Sequence, residues 1–281
     1  MERAFSLSVS VPTPFRIPHR VLALIGVITF ILACCLAGCT SNAADSDSSA
    51  TDGNATGEKT LRVAMELAYP PFETKDDAGN PEGLAVDFIR DFGAAYGYDV
   101  QIENTAWDGL IPSLQSDKAD LVISSMTITD ERKQSVDFST SYATGIQSIV
   151  VKEDSPITSV DDLYADGADY QIGVQQDTTG DIYCSDDFGD DHVQRFNKGA
   201  DAVAALVSGK LDCVVIDNEP AKSFVAANEG LKVLDTAYAV EDYAAAFAKG
   251  SELTEPFNKA LEELIADGTV QKIVDKYISA D

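Results

Sequence analysis

Residues 120–132 read Asp120-Leu121-Val122-Ile123-Ser124-Ser125-Met126-Thr127-Ile128-Thr129-Asp130-Glu131-Arg132. The three apolar residues after Asp120 form a short run of the kind a buried strand makes. It empties into a polar loop. The same grammar repeats on both sides. Upstream, Leu61-Arg62-Val63-Ala64-Met65 reads as a strand, and Gly79-Asn80-Pro81-Glu82-Gly83 is a turn cluster. Ala85, Phe88, Ile89, Phe92, Ala95 and Tyr96 recur at three and four residues, which predicts a helix with Gly97 at its C-terminal cap. Residues 98–102 alternate as a strand, and Leu110, Ile111 and Leu114 suggest a short helix. Downstream, strands are predicted over 148–152, 170–174 and 211–216, with a helix over 202–206 ending near Gly209. Two helical stripes close the chain: Phe257, Ala260, Leu261, Leu264 and Ile265, then Val270, Ile273, Val274 and Tyr277, parted by Asp267-Gly268. Alternating strands and helices predict an α/β fold with mainly parallel sheets. Ligands of such sheets bind beyond the strands' carboxyl ends. The polar residues at those places are Glu66 and Tyr69, Ser124 to Thr127, Gln175 to Thr179, and Asp217.

The chain has 281 residues, 45% of them hydrophobic, an ordinary globular composition that allows one or two domains. A formal net charge of -27 excludes nucleic acid as a partner, since phosphate binding needs a basic footprint. The acidic surplus reads mostly as solvated surface and leaves room for a cationic ligand. Arg3, Arg16, His19 and Arg20 precede an apolar run from Val21 to Ala37, and that run ends in Leu36-Ala37-Gly38-Cys39. Residues 1–38 therefore read as a signal peptide, with an uncleaved membrane anchor as the alternative; the arginines fit a positive-inside orientation either way. The last four residues resemble a bacterial lipobox, which implies acylation of Cys39 and attachment to the outer face of the cell membrane. Residues 39–57 hold no large apolar side chain and read as a flexible tether. Beyond the signal and Cys39, two cysteines remain, Cys184 and Cys213, which an exported chain either joins as a disulfide or buries as thiols. With only His192 beside them they make a poor zinc site, and neither metal nor cofactor is expected.

Several runs occur in a telling order: Tyr69-Pro70-Pro71-Phe72-Glu73, Gly83-Leu84-Ala85-Val86-Asp87-Phe88, Trp107-Asp108-Gly109-Leu110-Ile111-Pro112-Ser113-Leu114, the stretch from Asp120 to Arg132, Val136-Asp137-Phe138-Ser139, and Ala266-Asp267-Gly268-Thr269. Together they resemble the family 3 extracellular solute-binding proteins, which serve polar amino-acid uptake by ABC-type transporters. The resemblance runs from about Leu61 to the C-terminus. It implies a two-lobed, periplasmic-binding-protein-like fold of type II, with the ligand in a cleft that closes by a hinge. Residues 58–144 and 244–281 would form lobe 1, and residues 145–243 lobe 2. The chain departs from the family at Leu84, where an aromatic is usual, and at Asp177 in Gln176-Asp177-Thr178-Thr179, where glycine is common.

An amino acid enclosed in a cleft loses water from its carboxylate and its ammonium, and each charge then needs a partner. The resemblance makes Arg132 the carboxylate clamp, since a planar guanidinium donates two parallel hydrogen bonds; unaided, Arg132 reads as a surface arginine paired with Glu131 or Asp130. Ser125 and Thr127 would add contacts, or act only as loop caps. Asp217 matches the ammonium partner, against an ordinary helix N-cap before Asn218. Thr179 matches a threonine that supports the carboxylate from the second lobe. Tyr69 and Trp107 match aromatics that sandwich the ligand's tail. Glu66 stands where some relatives face a basic or polar tail, or else is a solvated loop carboxylate. The expected partners are a free polar or basic amino acid, a transporter permease and, through Cys39, the membrane; the protein is expected to be a monomer. Serine-elbow, phosphate-loop and zinc-protease motifs are absent, and His192 is the one histidine past the signal, so no enzyme activity is expected. The rival readings are a secreted enzyme similar to cyclohexadienyl dehydratases, which use a cleft carboxylic acid on the same fold, and a receptor sensor domain.

Overall fold

The computed structural model describes residues 59–278. The signal, the tether and Cys39 lie outside the described residues. In chain order the elements are β1 (Lys59–Met65), β2 (Thr74–Lys75), β3 (Pro81–Glu82), α1 (Leu84–Tyr96), β4 (Tyr98–Asn104), α2 (Leu110–Gln115), β5 (Leu121–Val122), α3 (Arg132–Ser135) and β6 (Val136–Phe138). They continue with β7 (Ala143–Lys152), β8 (Ile172–Gln175), α4 (Thr179–Phe188), β9 (Val193–Phe196), α5 (Gly199–Val207), β10 (Cys213–Asp217), α6 (Asn218–Ala227), β11 (Leu231–Val233), β12 (Ala239–Tyr243), β13 (Ala246–Ala248), α7 (Thr254–Ala266) and α8 (Thr269–Tyr277).

Two sheets organise the chain. The first runs β4-β1-β5-β13-β6, and the second β11-β7-β10-β8-β9, with β12 also paired to β7. The first therefore takes strands from both ends of the chain and the second from its middle. Each βα unit is parallel: β1 with β4 and β5, and β8 with β9 and β10. The sheets are nonetheless mixed rather than mainly parallel. β7 runs antiparallel to β10, β11 and β12, and β13 antiparallel to β5 and β6. The reason is connectivity. A chain that leaves the first sheet and later returns enters each sheet against the direction of its βα units.

The amphipathic stripes seen in the sequence build the first core. In α1, Phe88, Ile89 and Phe92 pack with Leu61, Val63 and Met65 of β1. Phe257 of α7 closes the cluster, with its ring 5.9 Å from Phe88, 5.0 Å from Phe92 and 5.3 Å from Phe247. Gly97 ends α1 at φ 74°, where a β-carbon would be strained, and its N–H caps Gly93 O. In the second sheet β10 is buried on both faces. Cys213 and Val215 enter one core with Ile149 and Ile172, while Val214 and Ile216 enter another with Ala202 and Leu206. Cys184 and Cys213 are both free thiols in the first of these cores. Burial pushes both thiols up, Cys184 to about 12, so neither is a ready nucleophile.

The two sheets are joined by paired crossings. β7 and β12 lie side by side, Ala143 opposite Tyr243 and Gln147 opposite Ala239. Tyr142 N–H donates to Tyr243 O at 3.0 Å, Ser139 N–H to Ala245 O at 2.8 Å, and Ala244 N–H to Met126 O at 3.0 Å. This two-stranded strap is where a hinge between the two sheets would lie.

Candidate functional site

Four strands end on the space between the sheets, and each delivers polar residues there. β1 leads to Glu66, Tyr69 and Glu73; β5 leads to Ser124, Ser125 and Thr127; β8 leads to Gln175, Thr178 and Thr179; β10 ends in Asp217. With Trp107 and Arg132 these residues line a single cavity of about 20 Å³, room for one water. All eight residues singled out from the sequence lie on its wall: Glu66, Tyr69, Trp107, Ser125, Thr127, Arg132, Thr179 and Asp217.

The cavity is small because the lobes touch across it. Tyr69 Oη donates to Asp217. Gln175 Nε2 donates to Glu66 Oε2 at 2.7 Å, and Thr127 Oγ1 lies 3.4 Å from Thr179 Oγ1. The Asp177 carbonyl accepts from Trp107 Nε1 at 3.0 Å and from Arg132 Nη2 at 3.2 Å. These contacts must part before anything the size of an amino acid enters.

Arg132 starts the short α3 and is 8% exposed, not a surface arginine. Its Nη1 donates to Thr127 O at 2.9 Å, and its guanidinium lies 5.3 Å from the centre of the Trp107 ring. Among the described residues no carboxylate oxygen comes within 4.0 Å of it, so neither Glu131 nor Asp130 pairs with it. Burial lowers its pKa, while Glu241, Tyr183, Glu131 and Asp217 pull it back up. A buried guanidinium without a carboxylate is a strong anion site. The N-terminus of α4 lies on the same side, with Thr179 as its first residue, and adds partial positive charge.

Asp217 holds the N-cap position of α6, but its side chain makes no capping bond. It turns into the cleft instead, where Oδ1 accepts from Gln147 Nε2 at 2.9 Å. Its carboxyl is pushed up to about 7, first by burial and then by Glu241; the Tyr243 and Tyr69 hydroxyls and Arg132 act the other way. The folded chain thus holds a proton that an unfolded chain releases, and this group's contribution to stability is present at low pH and is lost as pH rises towards about 7. Burial likewise raises the Glu66 and Glu73 carboxyls. Ser124 and Ser125 hydroxyls lie 3.4 and 3.3 Å from the two Glu73 oxygens. Glu241, on β12, accepts from Thr127 Oγ1 and Gln147 Nε2, both at 3.1 Å. Four buried carboxylates, Glu66, Glu73, Asp217 and Glu241, therefore surround one buried guanidinium. The arrangement accepts an anion at Arg132 and positive charge everywhere else.

Sequence reasoning did not assign Glu73, Gln147 or Glu241. Glu73 lay in the quoted Tyr69–Glu73 loop, so a signal existed. Gln147 and Glu241 sit on the strap, inside strands, where no motif marks them. Asp177 has φ 60°, a left-handed conformation that glycine adopts freely.

Over residues 61–280 the chain matches the bacterial extracellular solute-binding proteins, family 3. It belongs to that family. It is 34% identical to an arginine-binding extracellular protein of Bacillus subtilis, over 88% of this chain and 96% of that one. Its fold superimposes on the arginine-, lysine-, histidine-binding protein of Geobacillus stearothermophilus with a TM-score of 0.74 and 36% identity, covering 79% of this chain and 96% of the other. A third similar structure is an ancestral amino acid-binding protein described as a precursor of cyclohexadienyl dehydratase, with a TM-score of 0.72 and 35% identity over 78% and 96% of the two chains. The fold of this family member is thus the two-lobed fold of amino-acid-binding proteins.

Proposed function

We propose that the chain captures a free polar or basic amino acid outside the cytoplasm and delivers it to an ABC-type uptake transporter. The observation that carries this reading is the charge arrangement of the cleft. Among the described residues Arg132 is buried with no carboxylate partner, and the acids around it exceed it four to one. An α-carboxylate on Arg132 and an α-ammonium on Asp217 complete both ends. Tyr69 and Trp107 lie along the tail, and a cationic tail end supplies a partner for the buried Glu66 and Glu73 carboxyls. Thr127 and Ser125 on one lobe and Thr179 on the other then add contacts that are complete only when the lobes meet. Binding without catalysis, a monomeric state, lipid attachment through Cys39 and recognition of the closed surface by a permease belong to the same proposal.

The decisive experiment is thermal unfolding of the purified protein, refolded to remove carried-over ligand, across the common amino acids. A ligand at about a thousand times its dissociation constant adds about 4 kcal/mol of stability. Upward shifts with arginine, lysine, histidine or glutamine are expected. No shift with any amino acid, together with turnover of prephenate or arogenate, would replace this reading with the enzyme.

Binding is also expected to expel protons. An ammonium against Asp217 favours the ionised carboxylate, whereas the unliganded carboxyl is protonated below about 7. Affinity therefore weakens as pH falls through that value. Titration calorimetry at about pH 6, in buffers of different ionisation enthalpy, reads the released proton directly. Heats independent of the buffer would refute the coupling, and Asp217→Asn should reduce it.

A further inference from the structure

The cleft continues outward into a second chamber of about 270 Å³ at its mouth. Ala106, Trp107 and Asp108 wall it from the first lobe, and Gln176, Asp177, Asn197 and Lys198 from the second. Glu66 and Trp107 line both this chamber and the inner cavity, so these two side chains stand between them. Gln175 Nε2 spans the partition, donating to Glu66 Oε2 at 2.7 Å and to Asn197 O at 3.2 Å, which ties the segment carrying Lys198 to Glu66. Among the described residues Lys198 is the one cation lining the chamber, faced by Glu66, Asp108 and Asp177. Only Glu66 of these acids is buried. Among the described residues the Lys198 ammonium makes no ion pair within 4.0 Å.

We infer that Lys198 is a specificity-determining residue: from the outer chamber its ammonium supplies the counter-charge to Glu66 when the ligand's tail is neutral, and competes with the tail when it is cationic. The inference rests on the amino-acid-binding reading. A buried carboxylate left unpaired is costly, so a neutral tail against Glu66 is tolerated only if another cation serves it. Burial is the largest influence on the Glu66 carboxyl and raises it; the Gln175 amide, Lys198 and the Trp107 backbone N–H hold it down, and Asp108 acts with burial. With arginine or lysine bound, the same ammonium repels the incoming charge. Lys198 therefore broadens the ligand range at the expense of affinity for basic ligands.

The test is calorimetric titration of Lys198→Met with glutamine and with arginine. Lys198 is exposed, so each effect has the size of a solvent-screened pair, about threefold. The dissociation constant for glutamine is expected to rise and that for arginine to fall, moving their ratio about tenfold. Lys198→Arg should keep the wild-type ratio, and about 0.5 M salt should shrink the Lys198→Met shift. Opposite signs for the two ligands separate this role from loss of fold, which weakens both. An unmoved ratio, a change of one sign for both ligands, or wild-type binding of arginine with no detectable glutamine overturns the role of Lys198. Wild-type protein that binds neither ligand overturns this inference, and the amino-acid reading falls with it only if the thermal panel shows no shift with any amino acid.

Discussion

Arg132→Ala is expected to remove ligand binding, with the dissociation constant rising by about a hundredfold or more. Truncating one partner of a buried, hydrogen-bonded charge pair costs about 2–5 kcal/mol, and each 1.4 kcal/mol is a factor of ten. Among the described residues the guanidinium is the sole buried cation lining the inner cavity, and the nearby side chains offer no substitute. Lysine keeps the charge but not the two parallel donors, so Arg132→Lys should bind with intermediate affinity. Calorimetric titration with the best ligand from the thermal panel measures both. Wild-type affinity in Arg132→Ala would show that the carboxylate is held elsewhere, and would undo the polarity assigned to the cleft. The substitution also removes the donors to the Thr127 and Asp177 carbonyls. Unliganded melting should therefore be recorded beside binding, to separate lost contact from lost fold.

Gly145→Val is expected to damage the hinge. A β-carbon at Gly145 would lie 2.1 Å from Tyr243 Oη and 2.2 Å from its Cζ. Tyr243 cannot step aside. It is fully buried and meets the Phe72 ring edge-on at 5.6 Å. The clash falls between β7 and β12, whose pairing joins the lobes, and beside the hydroxyl that lowers the Asp217 carboxyl. Overpacking of this kind costs about 1–3 kcal/mol, a fall of roughly 2–12 °C in Tm for a domain of this size. Weaker ligand binding should accompany it, because Asp217 and the strap are displaced together. Thr144→Ala, at the exposed neighbouring position, serves as the control and should change neither quantity. A Gly145→Val protein with unchanged melting and affinity would mean that the strap yields without affecting the lobes.

Much of the site was legible before any coordinates. Glu66, Ser125, Thr127, Thr179 and Asp217 follow short apolar runs, and an α/β sheet gathers the ends of its strands at one rim. Tyr69 and Trp107 stood in polar loops, where a large ring has no core to enter. Arg132 was harder. By local pattern it reads as half of a surface ion pair, and only its place in the run from Met126 points inward. Asp217 shows the converse difficulty: its position is an N-cap by sequence and by backbone, and only the side-chain direction separates a cap from a ligand contact.

Alternation by itself determined the α/β class, the helical faces that bury Phe88, Phe92 and Phe257, and the strand ends where chemistry is gathered. The reason is that hydrophobic burial has the period of the element that performs it. Only the tertiary structure decided the floor of the cleft. On the strap, Gln147 and Glu241 are 2% and 5% exposed, while Ile146 and Val240 are 37% and 68% exposed. The usual pattern is inverted there, because one face of those two strands closes a polar site and the other meets solvent. Which face is which depends on where two lobes distant in sequence come together, and no local period carries that information.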